Sequence, residues 1–325
     1  MRKLWLLFAV LVLALAVSVG GGWWLYERPG PLTAGRNQLV PRGGTLIVAH
    51  ALGDAGILHT DTLDLWVFQA AVKLTRQEGP LRASEFAFPA HVSIHDVLTI
   101  LRHAPPVEHR LTIPEGWTAR RIAALLEEAP TLSGLLPPLQ EGNLLPQTVS
   151  FLLNTPRATI AARLEKMMDR TLASVWENRD PTVPLPDPHA LLVLASIVER
   201  ETGIPAERAE IARVFLNRLK LGMRLQSDPT TIYDLSQGWG ELSRPLTHAD
   251  LAETGPNNTY VIAGLPPQPI CSPGRASLEA VAHPAPGDAL YFVATGTGGH
   301  SFAASLSEHN KNVSAYRAAR SGMIH

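Results

Sequence analysis

Cysteine is almost missing: Cys271 is the one thiol in 325 residues, which excludes an internal disulfide and any Cys-rich zinc or iron–sulfur centre. The folded part must therefore hold by packing. An excess of one charge is missing too, since 28 Lys and Arg face 29 Asp and Glu for a formal net charge of -1. Such a chain does not find nucleic acid or an anionic membrane through bulk basic charge. Charge of any sign is sparse, at 18% of residues against the ~25% of an average soluble domain, in part because one segment is built for lipid. The sequence has no internal repeat and no low-complexity tract, and its 46% of hydrophobic residues excludes wholesale disorder and suffices for one or two cores.

One uncharged run is long. From Leu4 to Leu25 no residue is charged, which matches the ~20 apolar residues that cross a hydrocarbon core of about 30 Å. Trp23, Trp24 and Tyr26 close the run with rings suited to the headgroup zone, and Arg2 and Lys3 place the other end in the cytoplasm. Everything after Glu27 is then expected outside the cytoplasm, with the body periplasmic on a single-pass anchor of the plasma (inner) membrane. A cleaved signal peptide is the competing reading, but its apolar region is shorter, roughly 7–15 residues. No later stretch of spanning length is apolar throughout.

The expected fold class is α+β: an N-terminal transmembrane helix, a small α/β module and a larger mixed α+β domain, divided as 1–28, 29–106 and 107–325. Glu27-Arg28-Pro29-Gly30-Pro31 reads as a linker. Within the module, Leu63, Trp66, Val67, Ala70, Ala71 and Leu74 recur at helical spacing, Leu81–Phe88 alternates like a strand, and Ser93-Ile94-His95-Asp96 reads as a capping box before a helix over Val97–Leu101. Beyond Pro105-Pro106, Val107–Ile113 reads as a strand and Thr118 as an N-cap. Ile160, Leu164, Met167, Met168, Thr171 and Val175 mark one helix face, with the methionines as core filler. Asp187-Pro188 signals a helix running to Glu201, Ala206–Leu221 a further helix ended by Gly222, Leu290–Ala294 a strand, and Leu306–Tyr316 a last helix.

The segment Ala195-Ser196-Ile197-Val198-Glu199-Arg200-Glu201-Thr202 is the most informative. On a helix, Glu201 extends the apolar face of Leu194, Ile197 and Val198, whereas Glu199 is turned ~200° away. A carboxylate held against apolar neighbours keeps its proton to higher pH and suits general-acid work. Glu201 is the candidate acid and Glu199 a solvent or ion-pair partner. By position alone, a Glu near a helix end is more often solvated or salt-bridged. His300 and His309 lack zinc spacing, so no metal and no cofactor is expected. Gly296-Thr297-Gly298-Gly299-His300 lacks the Gly-Lys-Ser/Thr ending of a phosphate loop and reads as a turn beside the site. Ser196 lacks the Gly-x-Ser-x-Gly context of a serine hydrolase.

Ala195–Thr202 together with Asn217-Arg218-Leu219-Lys220-Leu221-Gly222-Met223-Arg224-Leu225-Gln226-Ser227-Asp228-Pro229-Thr230 resembles the membrane-anchored endolytic murein transglycosylases, the MltG or YceG-like family. Asn258-Thr259-Tyr260, Gly264-Leu265-Pro266-Pro267, Ser272-Pro273-Gly274, Leu290-Tyr291-Phe292-Val293, Gly298-Gly299-His300-Ser301-Phe302 and Glu308-His309-Asn310-Lys311 follow in the family's order. Upstream, residues 37–106 resemble the family's LysM-like subdomain, and Thr112-Ile113-Pro114-Glu115-Gly116 its entry to the catalytic domain. The chain departs from the family's pattern at Glu141-Gly142-Asn143-Leu144-Leu145-Pro146-Gln147-Thr148 and at Asn257.

The resemblance implies lytic cleavage of the β-1,4 bond between N-acetylmuramic acid and N-acetylglucosamine in nascent glycan strands, leaving 1,6-anhydro ends, with Glu201 as acid and then base. Gln226, Asp228, Asn258, Tyr260 and His300 become candidate substrate contacts, with loop-anchoring hydrogen bonds as the alternative for Gln226, Asp228, Asn258 and Tyr260. Asp228 could also cap a short helix over Thr230–Leu235. Peptidoglycan strands and cell-wall synthesis enzymes are the expected partners. The rivals are a non-catalytic glycan-binding scaffold and a two-carboxylate muramidase.

Overall fold

The computed structural model describes residues 2–296 and 298–322. Met1, Thr297 and Met323–His325 lie outside the described residues, and with Thr297 the centre of the expected glycine-rich turn. The elements run α1 (Arg2–Glu27), β1 (Arg36–Leu39), α2 (Thr45–Asp54), α3 (Thr62–Leu74), β2 (Glu85–Phe88), α4 (Ile94–His103), β3 (Glu108–Thr112), α5 (Ala119–Glu128), β4 (Leu132–Ser133), β5 (Thr148–Leu152), β6 (Thr155–Pro156), α6 (Arg157–Glu177), α7 (Pro188–Glu201), α8 (Arg208–Lys220), α9 (Asp228–Leu235), α10 (His248–Ala252), α11 (Arg275–Ala282), β7 (Tyr291–Ala294), β8 (His300–Ala303) and α12 (Leu306–Gly322). This is a mixed α+β chain with an N-terminal apolar helix. α1 is long and apolar enough to cross a membrane.

The chain forms two compact units, Met1–His109 with Ser150–Asn154, and Arg110–Val149 with Thr155–His325. In the first, β1 and β2 pair antiparallel with Arg36 opposite Phe88, and Leu52, Phe68, Phe86, Phe88, Leu98 and Leu101 close a core. The Ser93 hydroxyl accepts from Asp96 N–H while the Asp96 carboxylate accepts from Ser93 N–H, which completes the capping box of α4. The strand is shorter than Leu81–Phe88, because only Glu85–Phe88 has a partner in β1. α2 carries no periodic signal: Thr45–Asp54 is apolar almost throughout, starts at Gly44 without a side-chain cap, and buries Val48, Ala49 and Leu52 while leaving Leu46 and Ile47 exposed.

The second unit is built around α7. Asp187 accepts from Ala190 N–H and Pro188 opens the helix. Every residue from Ala190 to Val198 is buried, because α6, α8 and α11 pack against α7. A helix apolar all round is a core helix; burying Leu191, Leu192 and Leu194 contributes about 2 kcal/mol each. β4 and β6 pair in parallel, and β7 and β8 antiparallel. Two expectations are adjusted here. A single 3-10 turn over Pro205–Glu207 precedes α8, whose end is followed by Gly222 at φ +68. The N-cap of α9 is Ser227 and not Asp228, which is the first helical residue.

Candidate active site

Glu201 is the last residue of α7, a 14-residue rod that spans ~20 Å. Its Oε1 accepts the hydroxyl of Ser227. Ser227 is itself fixed: its N–H donates to Thr259 Oγ1 at 2.9 Å, and its carbonyl accepts from Thr230 Oγ1 at 2.7 Å. The hydroxyls of Thr230 and Thr259 lie 2.9 Å apart, and both residues are buried. A closed hydroxyl network of this kind allows the proton-bearing partner of Glu201 little rotational freedom.

Burial pushes the Glu201 carboxyl up to about 7, and the negative charge of Asp228 adds to the rise; the Ser227 hydroxyl and the charges of His300 and Arg218 act against it. Arg218 is buried and committed, donating to Leu290 O and Leu225 O at 2.7 Å each. The Asp228 Oδ1 accepts from Tyr260 Oη at 2.6 Å. Burial, followed by this bond to Asp228, pushes the Tyr260 phenol upward, so it remains a donor. Gln226 adopts φ +51, and its N–H donates to Thr259 O at 3.2 Å. His300 donates its N–H to Glu207 Oε1 and sets Nδ1 against Glu207 Oε2, both at 2.7 Å. Burial would raise Glu207, but its bonds to His300 outweigh it and hold the carboxyl below its ordinary value.

Asn258 is buried and fully engaged. Its Oδ1 accepts from Thr231 Oγ1 at 2.8 Å and Tyr260 N–H at 3.0 Å, and its Nδ2 donates to the carbonyls of Leu251 and Glu253. In the structure it ties the loop that carries Tyr260. Asn257 donates to Asp234 through N–H and Nδ2 at 2.9 and 2.6 Å, and Gln147 Nε2 lies 2.9 Å from Met167 Sδ. Both departures from the family pattern thus make internal contacts.

Of the two roles expected for Glu199, solvated group or ion-pair partner, the structure has the second. Its side chain is 6% exposed, 3.8 Å from Arg208, and accepts from Gly274 N–H at 2.9 Å and Ser277 Oγ at 2.7 Å. The reason is the position of α7: the face opposite Glu201 is covered by α11. Sequence reasoning gave no role to Ser227, Arg218 or Glu141. The first two stand within the quoted family motifs, whereas burial pushes Glu141 up to about 7 through chain that folds back from far away. His59, Asp61 and Asp64 of the first unit bring possible ligand atoms within 4.8 Å of one another, but Arg28 already bonds both aspartates. The cavities of about 580 and 600 Å³ in the second unit are lined by other residues than Glu201.

The profile of the YceG-like family matches residues 39–315. An endolytic murein transglycosylase of Bacillus subtilis (strain 168) is 38% identical over 175 residues, which cover 53% of this chain and 46% of that protein. Proteins of the same name from Streptococcus pneumoniae strains D39 and R6 are 29% and 30% identical over 280 and 285 residues, 72% of this chain and 50% of each. The chain thus spans about half the length of these curated relatives. A crystal structure of a YceG-like protein from Listeria monocytogenes is similar with a TM-score of 0.52 at 28% identity, over 86% of this chain and 99% of that one.

Proposed function

The chain belongs to the YceG-like family, and from that premise we propose that it is an endolytic peptidoglycan lytic transglycosylase that leaves 1,6-anhydro-muramic ends. The observation that carries the reading is Glu201: one carboxyl pushed up to about 7 by burial and held through Oε1 by Ser227. Near neutral pH a carboxyl of this kind is part protonated and part ionised, so it can both give and take a proton. The proton of Glu201 goes to the glycosidic oxygen as the C1–O bond breaks. The muramic C6 hydroxyl then attacks C1, and its proton passes to the Glu201 carboxylate, which restores the acid. The hydroxyl stands where a hydrolase would use water.

Tyr260, oriented by Asp228, and Gln226 and His300 at the same site are assigned to substrate contact, while Asn258 positions Tyr260 from behind. Residues 1–28 are assigned to the anchor, 29–106 to a LysM-like subdomain, and 107–325 to the catalytic domain, apart from the residues up to His109 and the Ser150–Asn154 stretch that belong to the first compact unit. The anchor orients the N-terminus to the cytoplasm and keeps the catalytic domain near nascent strands, where effective concentration favours partnership with cell-wall synthesis enzymes.

The test is mass spectrometry of glycan products made from polymeric peptidoglycan by the full chain in detergent, beside Glu201→Gln. Anhydro ends made by the unaltered chain, and lost by ~10²- to 10⁴-fold in the variant, are expected for an acid–base carboxyl. The influence of Asp228 on Glu201 keeps one other reading open to the same experiment. A retaining or inverting hydrolase needs a second carboxyl about 5–5.5 or 6.5–9.5 Å away and gives reducing ends. Uncut glycan that still binds would instead indicate a scaffold.

A further inference from the structure

Glu141, Tyr233, Asn143, Gln237, Gln268 and His189 line a cavity of about 600 Å³ in the second unit. It lies beside the C-terminal half of α9, the helix whose first residue is Asp228. Five residues separate Asp228 from Tyr233, a rise of ~7.5 Å, and twelve separate His189 from Glu201 on α7, ~18 Å. The cavity is therefore distinct from the immediate surroundings of Glu201 and lies within reach of an extended polymer bound there.

Its wall is chemically selective. The two charged groups are already engaged: Glu141 accepts from Ala119 N–H at 2.8 Å and Tyr233 Oη at 3.0 Å, and Arg120 stacks over the Trp239 ring at 4.6 Å while donating to Gln237 O at 3.0 Å. The rest of the wall carries amides, a phenol, the His189 imidazole and a few apolar side chains, with Gln268 Nε2 3.4 Å from Tyr233 Oη and Asn143 Nδ2 donating to Gln140 Oε1 at 2.8 Å. Carboxamides both donate and accept, which fits hydroxyl and acetamido groups. Gln237 holds φ +53, a conformation rarely adopted by a side-chain-bearing residue, in the turn that closes α9 and shapes the cavity. A volume of this size falls in the ~300–1,000 Å³ range of small-ligand sites.

We propose that this cavity is a saccharide subsite that binds an N-acetylated sugar of the strand remote from the bond cut at Glu201. The proposal rests on the reading that the substrate is a glycan strand. The amides of the wall fit a neutral sugar, while the guanidinium of Arg120 is the one group that could meet a stem-peptide carboxylate, and the peptide competition below separates the two. Binding energy gathered there adds to that gathered at the catalytic carboxyl, so that long strands are held in preference to short ones.

The test uses the full chain in detergent carrying Glu201→Gln, titrated calorimetrically with N-acetylglucosamine hexamer and dimer. Asn143→Ala with Gln268→Ala, and separately Ala123→Phe to fill the cavity, should each weaken hexamer binding at least tenfold and reduce the hexamer-to-dimer affinity ratio, with melting temperatures showing that both variants fold. Hexamer affinity within twofold of the parent in both folded variants would overturn the proposal. So would displacement of the hexamer by a sugar-free stem pentapeptide whose own binding both variants abolish. Failure of the function reading is a separate observation, the absence of anhydro ends from the unaltered chain, and it leaves the hexamer titration to be judged by itself.

Discussion

A carboxyl with a raised pKa is a cost carried by the fold. Glu201 binds its proton up to about pH 7, whereas an unfolded Glu releases it near 4.3. The native state therefore holds more protons than the unfolded chain between these values, and the stability present below the unfolded pKa is lost as pH rises through the folded one. Glu201→Gln should match the unaltered protein in melting temperature near pH 4.5 and exceed it at pH 8.5, which a pair of thermal scans checks. The same carboxyl sets an alkaline limb near pH 7 in the rate, because the first step needs its proton. Ser227 and Asp228 act on that limb in opposite directions. The Ser227 hydroxyl favours the ionised form, so Ser227→Ala should move the limb to higher pH and lower kcat about tenfold as the carboxyl loses its orienting bond. The Asp228 charge favours the protonated form, so Asp228→Asn should move the limb to lower pH. A pH–rate profile of each variant decides the signs, and a purely structural role for either residue would lower activity without moving the limb.

At the scale of elements, the position of Glu201 depends on where α7 begins. Asp187 caps the first turn through Ala190 N–H at 2.8 Å, so Asp187→Ala should cost about 1 kcal/mol, seen as a lower denaturant midpoint at unchanged slope. The start of α7 was legible because an acidic cap followed by proline is a local signal, as were the Ser93 box and the Thr118 cap, whose hydroxyl accepts from Arg121 N–H at 3.3 Å. α2 and α11 were not legible. Both begin after a glycine without a side-chain cap, and their boundaries are set by what they pack against. The site divides in the same way. The register of one helix suffices to put Glu201 on the side of Leu194 and Ile197. The burial of Glu199 needs Gly274 and Ser277, 75 and 78 residues on, and the environment of Glu141 needs Tyr233, 92 residues on. Such contacts leave no periodic trace in the sequence.

At the scale of the whole molecule, the two units are not two consecutive stretches of chain. After the chain leaves the first unit at His109 it returns over Ser150–Asn154. Phe151 is buried there, its ring centroid 6.0 Å from that of His109. A cut at residue 110 therefore does more than remove a module: it takes away the His109 ring beside Phe151 and leaves a five-residue stretch of the first unit joined to the chain of the second. Exposing a buried Phe forfeits roughly 1.5–3 kcal/mol and offers an apolar surface for association. A protein that starts at Arg110 should accordingly bind more of a hydrophobic dye and melt at lower temperature than the full chain, even though Glu201, Ser227 and the cavity beside α9 are all retained. Phe151→Ser in the truncated protein removes the exposed ring without touching the second unit's own core. It should recover solubility and lower dye binding there, while the same substitution in the full chain lowers stability. If the truncated protein behaves as the full chain does in both measurements, residues 150–154 contribute nothing to holding the first unit, and a boundary drawn at a single point in the sequence would be physically adequate.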